Sequence, residues 1–229
     1  MFDTIIVSGG NIEEEFALHF FENRDAAGKC RDCKVIAADK GLEFLIRQGI
    51  RPDMVIGDFD SASASVEDYL KEHKEIQVYR LKPEKDDTDT QSALRLAAQE
   101  GAASVLLLGC TGTRMDHVLA NIGLLLFGKI LGLQVTICDP WNRIRLVSSG
   151  TELRKEETFG TYVSFFALGG DVMGLTLEGF YYPLKDHHLS MAEAGLTVSN
   201  EIVEKTAKVT YKSGELLMIE SRDGANGTL

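Results

Sequence analysis

Short apolar runs alternate with helix-patterned segments up to residue 138, and this alternation constrains the fold more than any other feature. The strand-like runs, rich in β-branched residues, fall at residues 4–7, 34–38, 54–56, 76–81, 104–108 and 134–138. The helix-patterned segments fall at residues 12–22, 41–48, 66–73, 88–99 and 115–131. Strands that alternate with helices of this length are typical of a parallel sheet with crossover helices.

The pattern changes at Asp139-Pro140-Trp141, after which helix signals fade. Further strand-like runs follow at residues 143–147, 162–167, 172–177, 208–211 and 216–219. Ser213-Gly214 is predicted to form a hairpin turn between the last two runs. The sequence therefore predicts an α/β domain over residues 1–139 and an all-β sandwich over residues 140–229.

Composition excludes several classes of function. Of 229 residues, 44% are hydrophobic and 26% charged, as in ordinary soluble proteins, and the formal net charge is −11. Such acidity argues against nonspecific binding to nucleic acid or to a membrane surface. The N-terminus does not resemble a signal peptide, and the apolar stretch at residues 118–133 is too short and interrupted to span a membrane. We therefore expect a cytoplasmic protein.

Cys30 and Cys33 form the single C-x-x-C motif of the chain. The motif is compatible with half of a zinc site or with a redox pair. Zinc normally needs a second pair of ligands at similar spacing, and none follows. Two reduced thiols without a special role are the preferred interpretation.

Polar residues follow most of the predicted parallel strands at the point where each strand ends. These turns are Ser8-Gly9-Gly10-Asn11, Asp39-Lys40-Gly41, residues 57–61, residues 82–89 and residues 109–117. In a parallel sheet the carboxyl ends of the strands share one edge, and ligands bind there. The coincidence of five polar turns predicts a binding site at that edge.

Two of these turns are rich in aspartate. Asp58 and Asp60 share a face of an extended segment, and Asp86 and Asp89 share a face at the start of a helix. Four converging carboxylates would repel one another unless a divalent cation such as Mg²⁺ joined them. For each aspartate alone, helix capping is an alternative role, with Asp86 or Asp87 capping one helix and Asp60-Ser61 another.

The turn at residues 109–117 is suited to an anion. Its glycines allow close backbone approach, a helix begins within it, and Arg114 can grip a phosphate through two N–H groups. Neither a Walker A loop nor a G-x-G-x-x-G motif is present. Asp116 is a candidate to orient Arg114 or bind a ribose hydroxyl, or is a first-turn acid of the helix. His117 is a candidate phosphate contact or a structural residue.

The segment at residues 195–201 is the candidate site of the second domain. If it is extended, the hydroxyls of Thr197 and Ser199 share a face, and the amide of Asn200 follows. The alternative is an ordinary polar strand end and turn.

Taken in order, these motifs resemble the bacterial thiamine pyrophosphokinase family. The matching segments are Asp39-x-Gly41, Gly57-Asp58-Phe59-Asp60-Ser61, residues 84–90, Gly112-x-Arg114-x-Asp116-His117, Tyr182-Pro183-Leu184 and Gly195-x-x-x-Ser199-Asn200-Glu201. They span nearly the whole chain. Lys40 departs from the glycine common after the first aspartate, and Thr197 stands where an isoleucine-like residue is common.

The resemblance implies an α/β nucleotide-binding domain, a β-sandwich, and a homodimer with thiamine bound between subunits. It implies that a diphosphoryl group passes from ATP to the thiamine hydroxyl and that AMP is released. In-line attack on the β-phosphorus then requires positioning and charge neutralisation, with an aspartate of the cluster accepting the proton.

The resemblance also implies a role for particular residues. The catalytic set comprises Asp58, Asp60, Asp86, Asp89 and Arg114, of which Asp58, Asp60 and Asp89 bind Mg²⁺. The predicted ATP contacts are Gly9, Asp39, Lys82, Lys85, Gly112, Arg114, Asp116 and His117. The predicted thiamine contacts are Gln91, Thr197, Ser199 and Asn200.

Two rival functions remain compatible with the residues. A Mg²⁺-dependent phosphatase would use Asp58 of the D-x-D pair as a covalent nucleophile. A sensing module that binds a nucleotide or thiamine would keep the turn at residues 109–117 but would not need clustered carboxylates.

Overall fold

The computed structural model describes residues 2–26, 28–59, 64–82 and 87–224. The chain divides into two compact units, Met1–Pro140 and Trp141–Leu229, called here the first and the second unit. The predicted Asp60, Lys85 and Asp86 lie outside the described residues.

Within the described residues, the first unit contains six parallel strands and five helices, in agreement with the predicted α/β class. The strands are β1 (Thr4–Val7), β2 (Lys34–Ala38), β3 (Met54–Gly57), β4 (Gln77–Arg80), β5 (Ser104–Leu108) and β6 (Gln134–Cys138). The helices are α1 (Glu14–His19), α2 (Gly41–Arg47), α3 (Ala64–Glu72), α4 (Asp89–Gln99) and α5 (Met115–Ile130). The strand order β4-β3-β2-β1-β5-β6 places β1 in the interior of the unit.

Continuous apolar runs form the inner strands because both faces of a parallel sheet are covered. All four residues of β1 are buried, as are the last four of both β2 and β5. Val7 pairs in register with Ala37 and with Leu108, so β1, β2 and β5 end at one edge. The polar turns that follow these strands therefore start close together.

Two helices of the first unit begin later than predicted, because side chains cap them. The carboxylate of Glu13 accepts hydrogen bonds from the backbone of Glu15 and Phe16, so α1 begins at Glu14 rather than at residue 12. Thr88 caps α4 by accepting a bond of 3.2 Å from the Gln91 N–H. The capping role weighed for Asp87 is therefore wrong. Among the described residues, no helix is long and apolar enough to cross a membrane.

The second unit is built from two antiparallel sheets that share one core, as a β-sandwich. Its strands are β7 (Asn142–Val147), β8 (Thr151–Arg154), β9 (Tyr162–Ala167), β10 (Val172–Glu178), β11 (Leu184–Leu189), β12 (Thr206–Thr210) and β13 (Leu216–Ser221). One sheet has the order β7-β13-β9 and the other β11-β10-β12-β8. Phe165 and Met218 of the first sheet pack in one buried cluster with Leu175 and Val209 of the second.

The predicted hairpin at Ser213-Gly214 is wrong, because β12 and β13 belong to different sheets. Strand β12 pairs with β8 and β10, whereas β13 pairs with β7 and β9. Gly214 has a φ of +102°, and a Cβ there would lie 2.4 Å from the carbonyl oxygen of Asp171. The glycine therefore serves a crossing between sheets rather than a two-strand hairpin.

Candidate active site

The polar turns of the first unit enclose a cavity of about 460 Å³. Its walls come from the turns after β1, β2 and β5 and from the first residues of α4 and α5. The predicted site residues among its lining are Gly9, Asp39, Asp89, Gly112, Arg114 and His117. The predicted binding edge of the parallel sheet thus contains a cavity of ligand size.

Glycine is required where the turns after β1 and β5 meet. The Gly10 N–H donates a hydrogen bond of 2.9 Å to the carbonyl oxygen of Gly109. A Cβ on Gly10 would lie 2.3 Å from that same oxygen, and Gly109 has a φ of +69°. Neither position accepts a larger residue without movement of the backbone. The backbones of the turns after β1 and β5 are therefore in direct contact at the cavity.

A buried hydroxyl pair joins α4 to the turn after β1. The Oγ of Ser8 lies 2.8 Å from the Oγ1 of Thr90, and both residues are buried. The neighbouring Cys110 is also buried, and burial raises the pKa of its thiol to about 12. Sequence reasoning did not identify the pair, because 82 positions separate its members.

Asp39 lies in the cavity wall in a conformation that few residues adopt. Its φ is +50°, in the left-handed region that aspartate and asparagine tolerate best after glycine. Burial raises the pKa of its carboxyl group, and the charges of Asp89 and Asp58 raise that pKa further. The structure thus places three carboxylates from separate turns within electrostatic reach of one another.

The donor set at this point suits a hard cation, although the described residues alone do not complete a site. Among residues 2–26, 28–59, 64–82 and 87–224, no group of three or more histidine, cysteine, aspartate or glutamate side chains could hold a metal. Two predicted carboxylates, Asp60 and Asp86, are not among these residues. Burial is the main cause of the raised pKa of Asp39, the charges of Asp89 and Asp58 add to it, and a cation with oxygen ligands would offset these charges.

Arg114 and Asp116 form an exposed ion pair at the start of α5. The Arg114 Nη2 lies 2.5 Å from Asp116 Oδ2, and Nε donates a second bond of 3.2 Å to Oδ1. The hydrogen bond from Arg114 lowers the pKa of the Asp116 carboxyl to about 2. Asp116 is also an acidic residue of the first turn of α5, so both roles weighed for it stay predictions. Arg114 itself lines the cavity, and Asp116 does not.

Other predicted residues of the first unit lie beside the cavity rather than in its wall. Lys82 is exposed after β4 and borders a separate groove together with Arg80 and Arg95. Gln91 contributes its backbone N–H to the cap of α4 and is not part of the cavity lining. Asp58 is half-buried at the end of β3 and is also outside the lining.

The second unit places its predicted residues in a hydrogen-bonded segment that is not extended as expected. Residues Met191–Thr197 form 3₁₀ turns, and Ser199 has a φ of +55°. Thr197 is fully buried, and its hydroxyl donates a bond of 2.5 Å to the carbonyl oxygen of Phe165. The prediction of an extended face shared by Thr197 and Ser199 is therefore wrong.

Asn200 is also buried, and its amide group holds the neighbouring loop. Its Nδ2 donates to the carbonyl oxygen of Tyr182 over 2.8 Å, while its Oδ1 accepts from the Tyr182 N–H over 2.9 Å. Tyr182 and Tyr181 are exposed, and their rings meet edge to face with centroids 4.8 Å apart. Sequence reasoning noted the Tyr182-Pro183-Leu184 segment but did not place these rings beside Asn200.

Comparison with solved structures first defines a structural class. The fold joins a parallel α/β unit to an antiparallel sandwich, and the crystal structure of yeast thiamin pyrophosphokinase has the same fold. The TM-score is 0.75 over 95% of this chain and 86% of that chain, at 15% identity. At that identity the likeness concerns the fold alone.

Two family profiles match the chain more specifically. The profile described as "Thiamin pyrophosphokinase, catalytic domain" matches residues 30–137, and "Thiamin pyrophosphokinase, vitamin B1 binding domain" matches residues 150–216. The thiamine pyrophosphokinase of Bacillus subtilis is 34% identical over 82% of this chain and 87% of its own length. The chain belongs to the thiamine pyrophosphokinase family.

Solved bacterial structures agree with this assignment. A crystal structure of thiamine pyrophosphokinase from Bacillus subtilis has a TM-score of 0.81 and 31% identity, over 96% of this chain and 99% of that one. A thiamin pyrophosphokinase from Geobacillus thermodenitrificans has a TM-score of 0.78 and 30% identity, over 97% of this chain and 98% of that one.

Proposed function

We propose that this chain transfers the diphosphoryl group of ATP to the hydroxyl of thiamine, giving thiamine diphosphate and AMP. The observation that carries the proposal is the cavity where glycine turns, Arg114 and the carboxylates of Asp39 and Asp89 meet. The likeness to thiamine pyrophosphokinases supplies the two substrates. In this proposal the first unit binds ATP and carries out the chemistry, and the second unit binds thiamine.

The ATP phosphates would bind against the glycine turns and the start of α5. Backbone N–H groups at Gly9 and Gly112 can approach phosphate oxygens closely, and the helix N-terminus favours negative charge. Arg114 supplies a planar cation at the cavity wall, while Asp116 orients it and His117 lies beside it. Lys82 and Lys85 are proposed to approach the phosphates from the turn after β4.

The proposed metal is Mg²⁺, held by Asp58, Asp60 and Asp89 with Asp86 nearby. The residues fit in kind, because carboxylate oxygens are the ligands that Mg²⁺ prefers beside phosphates. When bound, the ion supplies positive charge that offsets the charge of the phosphate oxygens. Asp89 and Asp58 raise the pKa of Asp39 in addition to burial, and their negative charges are those that the ion would neutralise.

Thiamine is proposed to contact Ser199 and Gln91, while the buried Thr197 and Asn200, also predicted as contacts, would hold the segment that carries Ser199. The amide of Asn200 is hydrogen-bonded to the backbone of Tyr182, so it would hold the loop of that tyrosine in place. The exposed rings of Tyr181 and Tyr182 offer aromatic area beside it. A cationic thiazolium ring is also compatible with a chain of net charge −11.

The proposed reaction is an in-line displacement at the β-phosphorus of ATP. The thiamine oxygen forms a bond to this phosphorus as the bond to the α-phosphate oxygen breaks, and AMP leaves. An aspartate of the cluster accepts the hydroxyl proton. Arg114, with Lys82 or Lys85, stabilises charge on the equatorial oxygens, and the glycine turns hold the nucleotide in line.

A homodimer is proposed as the working assembly. Helix α5 exposes Met115 and Leu119, which lie one helical turn apart, at 71% and 68% of their surface. Exposed apolar residues of this size mark interaction surfaces when they adjoin one another. Light scattering after size-exclusion chromatography should give twice the 25.2 kDa of one chain. A mass of one chain at assay concentration would overturn this part of the proposal.

The reaction is tested by incubating the purified protein with ATP, thiamine and Mg²⁺ and separating the products by chromatography. We expect AMP and thiamine diphosphate in equal amounts, and neither after EDTA is added. Formation of ADP, or of phosphate with thiamine unchanged, would contradict the reaction. A phosphoryl group trapped on Asp58 would favour the phosphatase, and binding without turnover would favour the sensing module.

A further inference from the structure

The Cys30-x-x-Cys33 motif lies on a backbone segment that is hydrogen-bonded on both sides. Arg24 and Cys30 form an antiparallel bridge, and the Arg31 N–H donates a hydrogen bond of 3.1 Å to the carbonyl oxygen of Asn23. The two cysteines are separated by a bend, after which β2 begins at Lys34. A bend of this kind turns residues i and i+3 toward each other.

This segment is fixed against the body of the first unit. The Arg51 N–H donates a hydrogen bond of 2.9 Å to the carbonyl oxygen of Gly28, and Lys29 Nζ lies 3.2 Å from Asp53 Oδ1. A Cβ on Gly28 would lie 2.1 Å from the carbonyl oxygen of Gly49, so the two backbones are in close contact. The cysteines are therefore held in place rather than carried on a loose loop.

Both cysteines lie at the edge of the core of the first unit. Cys30 is 5% exposed and belongs to the apolar cluster of the first unit, and Cys33 packs against that cluster while remaining partly exposed. The two thiols share a hydrogen bond. This bond lowers the pKa of Cys30 and raises that of Cys33, while Arg24 also lowers the pKa of Cys30.

Burial and the charges of Asp53 and Asp32 raise the pKa of Cys30. The hydrogen bond has the larger effect, so the pKa is lowered overall. Asp53 is paired with Lys29 and also accepts a bond of 2.9 Å from the Val35 N–H. Asp32 is bonded to Asn23. The pair thus combines a stabilised thiolate with a neighbouring thiol, as in oxidisable dithiols.

We propose that Cys30 and Cys33 form an oxidisable dithiol, which a small peroxide converts into an intramolecular disulfide. A metal site is a poorer explanation, because no group of three or more candidate ligands occurs among the described residues. The inference does not depend on the proposed function. The cysteines precede the amino end of β2, whereas Asp39 follows its carboxyl end, about 16 Å away at the rise of a strand.

The chemistry balances with hydrogen peroxide as the oxidant. The Cys30 thiolate attacks one peroxide oxygen, the O–O bond breaks, and the departing hydroxide takes a proton to leave as water. The sulfur of Cys33 then attacks the Cys30 sulfenic acid, the S–O bond breaks, and the second water carries away the thiol proton. Two thiols are oxidised by two electrons in total, and one peroxide is reduced to two waters.

The test is direct mapping of the disulfide in the whole protein. Reduced protein is treated with hydrogen peroxide, free thiols are alkylated, and the unfolded protein is digested with trypsin. Cleavage after Lys29, Arg31 and Lys34 separates the two cysteines, so their disulfide joins the peptides 30–31 and 32–34. We expect this linked pair to appear with peroxide and to disappear with dithiothreitol. Recovery of both peptides fully alkylated would overturn the proposal.

Two substitutions and two internal controls sharpen the result. Cys33→Ser should leave a sulfenic acid on Cys30 that dimedone traps, and Cys30→Ser should leave Cys33 without a partner for an intramolecular disulfide. Cys110 and Cys138, which belong to no C-x-x-C motif, should remain alkylatable in the same digest. A disulfide from Cys30 or Cys33 to either of these, or between two chains, would also contradict the proposal.

Discussion

In the first unit several candidate residues line a cavity at the ends of strands, whereas in the second unit Thr197 and Asn200 are buried as part of the fold. Asp39 is half-buried, and burial and neighbouring carboxylates raise its pKa. Thr197 and Asn200 are buried with their polar atoms bonded to Phe165 and Tyr182. The difference teaches that the first unit tolerates electrostatic repulsion for binding, while the second depends on its polar groups for stability.

The largest expected effect is on catalysis in the first unit. Asp89→Asn removes one charge from the proposed metal ligands, and we expect turnover to fall by roughly 100-fold, since groups that only orient metal ligands are each worth about 10–100-fold. The free energy of unfolding should change by less than about 1 kcal/mol, the usual size of a first-turn charge effect. Steady-state kinetics and denaturant titration measure the two quantities.

A matched control for this prediction is Asp87→Asn, two positions earlier. Asp87 Oδ2 lies 2.8 Å from Arg95 Nε, away from the cavity lining. Its variant should turn over at nearly the wild-type rate. If Asp89→Asn were as active as Asp87→Asn, the metal assignment would have to be abandoned.

The second prediction concerns stability in the second unit. Thr197→Val keeps the shape of the side chain but leaves the carbonyl oxygen of Phe165 without its bond, so the free energy of unfolding should fall by about 1–3 kcal/mol. The matched variant Thr206→Val, at an exposed position of β12, should change it by less than about 0.5 kcal/mol. If both variants lost the same free energy of unfolding, the bond of Thr197 would not be a special source of stability in the second unit.

The same contrast explains which parts of the molecule could be predicted from the sequence. The parallel class of the first unit and most strand bounds follow from apolar runs that are buried on both faces. Strands β8 and β11 were missed because their burial is irregular and their residues are mostly polar, as in Leu184–Leu189. The hairpin at Ser213-Gly214 was predicted wrongly because a turn motif does not reveal whether its two strands join the same sheet.

The candidate cavity could be predicted by position but not in detail. Polar residues after parallel strands indicated its place, since strand ends share an edge. The bond between Ser8 and Thr90 and the left-handed backbone of Asp39 depend on tertiary contacts, which local patterns do not encode. The roles of Thr197 and Asn200 in holding their own unit were hidden for the same reason.

The third prediction concerns the hydrogen bond between Ser8 and Thr90, which joins α4 to the turn after β1. Ser8→Ala leaves the buried hydroxyl of Thr90 without this partner, and we expect a loss of about 1 kcal/mol in the free energy of unfolding. Thr90→Val should cost a similar amount. Because the two hydroxyls contact each other, the double variant should lose less than the sum of the single losses. Additive losses in denaturant titrations would show that the bond contributes nothing of its own.

The last prediction concerns Asp39, a proposed ATP contact whose ionised carboxylate is expected to lower the stability of the fold. Its folded-state pKa is raised, chiefly by burial, so ionisation of this carboxyl costs stability at pH values above that raised pKa. Asp39→Asn removes the charge, and asparagine accepts a φ of +50° as well as aspartate does. We therefore expect the variant to unfold at a higher denaturant concentration than the wild type at pH 7.

The raised pKa of Asp39 also determines how the stability difference between the variant and the wild type depends on pH. Stability is lost as pH rises from the unfolded-state value of 3.8 through the raised folded-state pKa, so the advantage of Asp39→Asn should shrink as pH falls through that window. Denaturant titrations of both proteins across acidic to neutral pH measure it. A constant advantage at every pH would mean that the charge of Asp39 is not its source, and a less stable variant at pH 7 would mean that the carboxylate is satisfied in the folded chain.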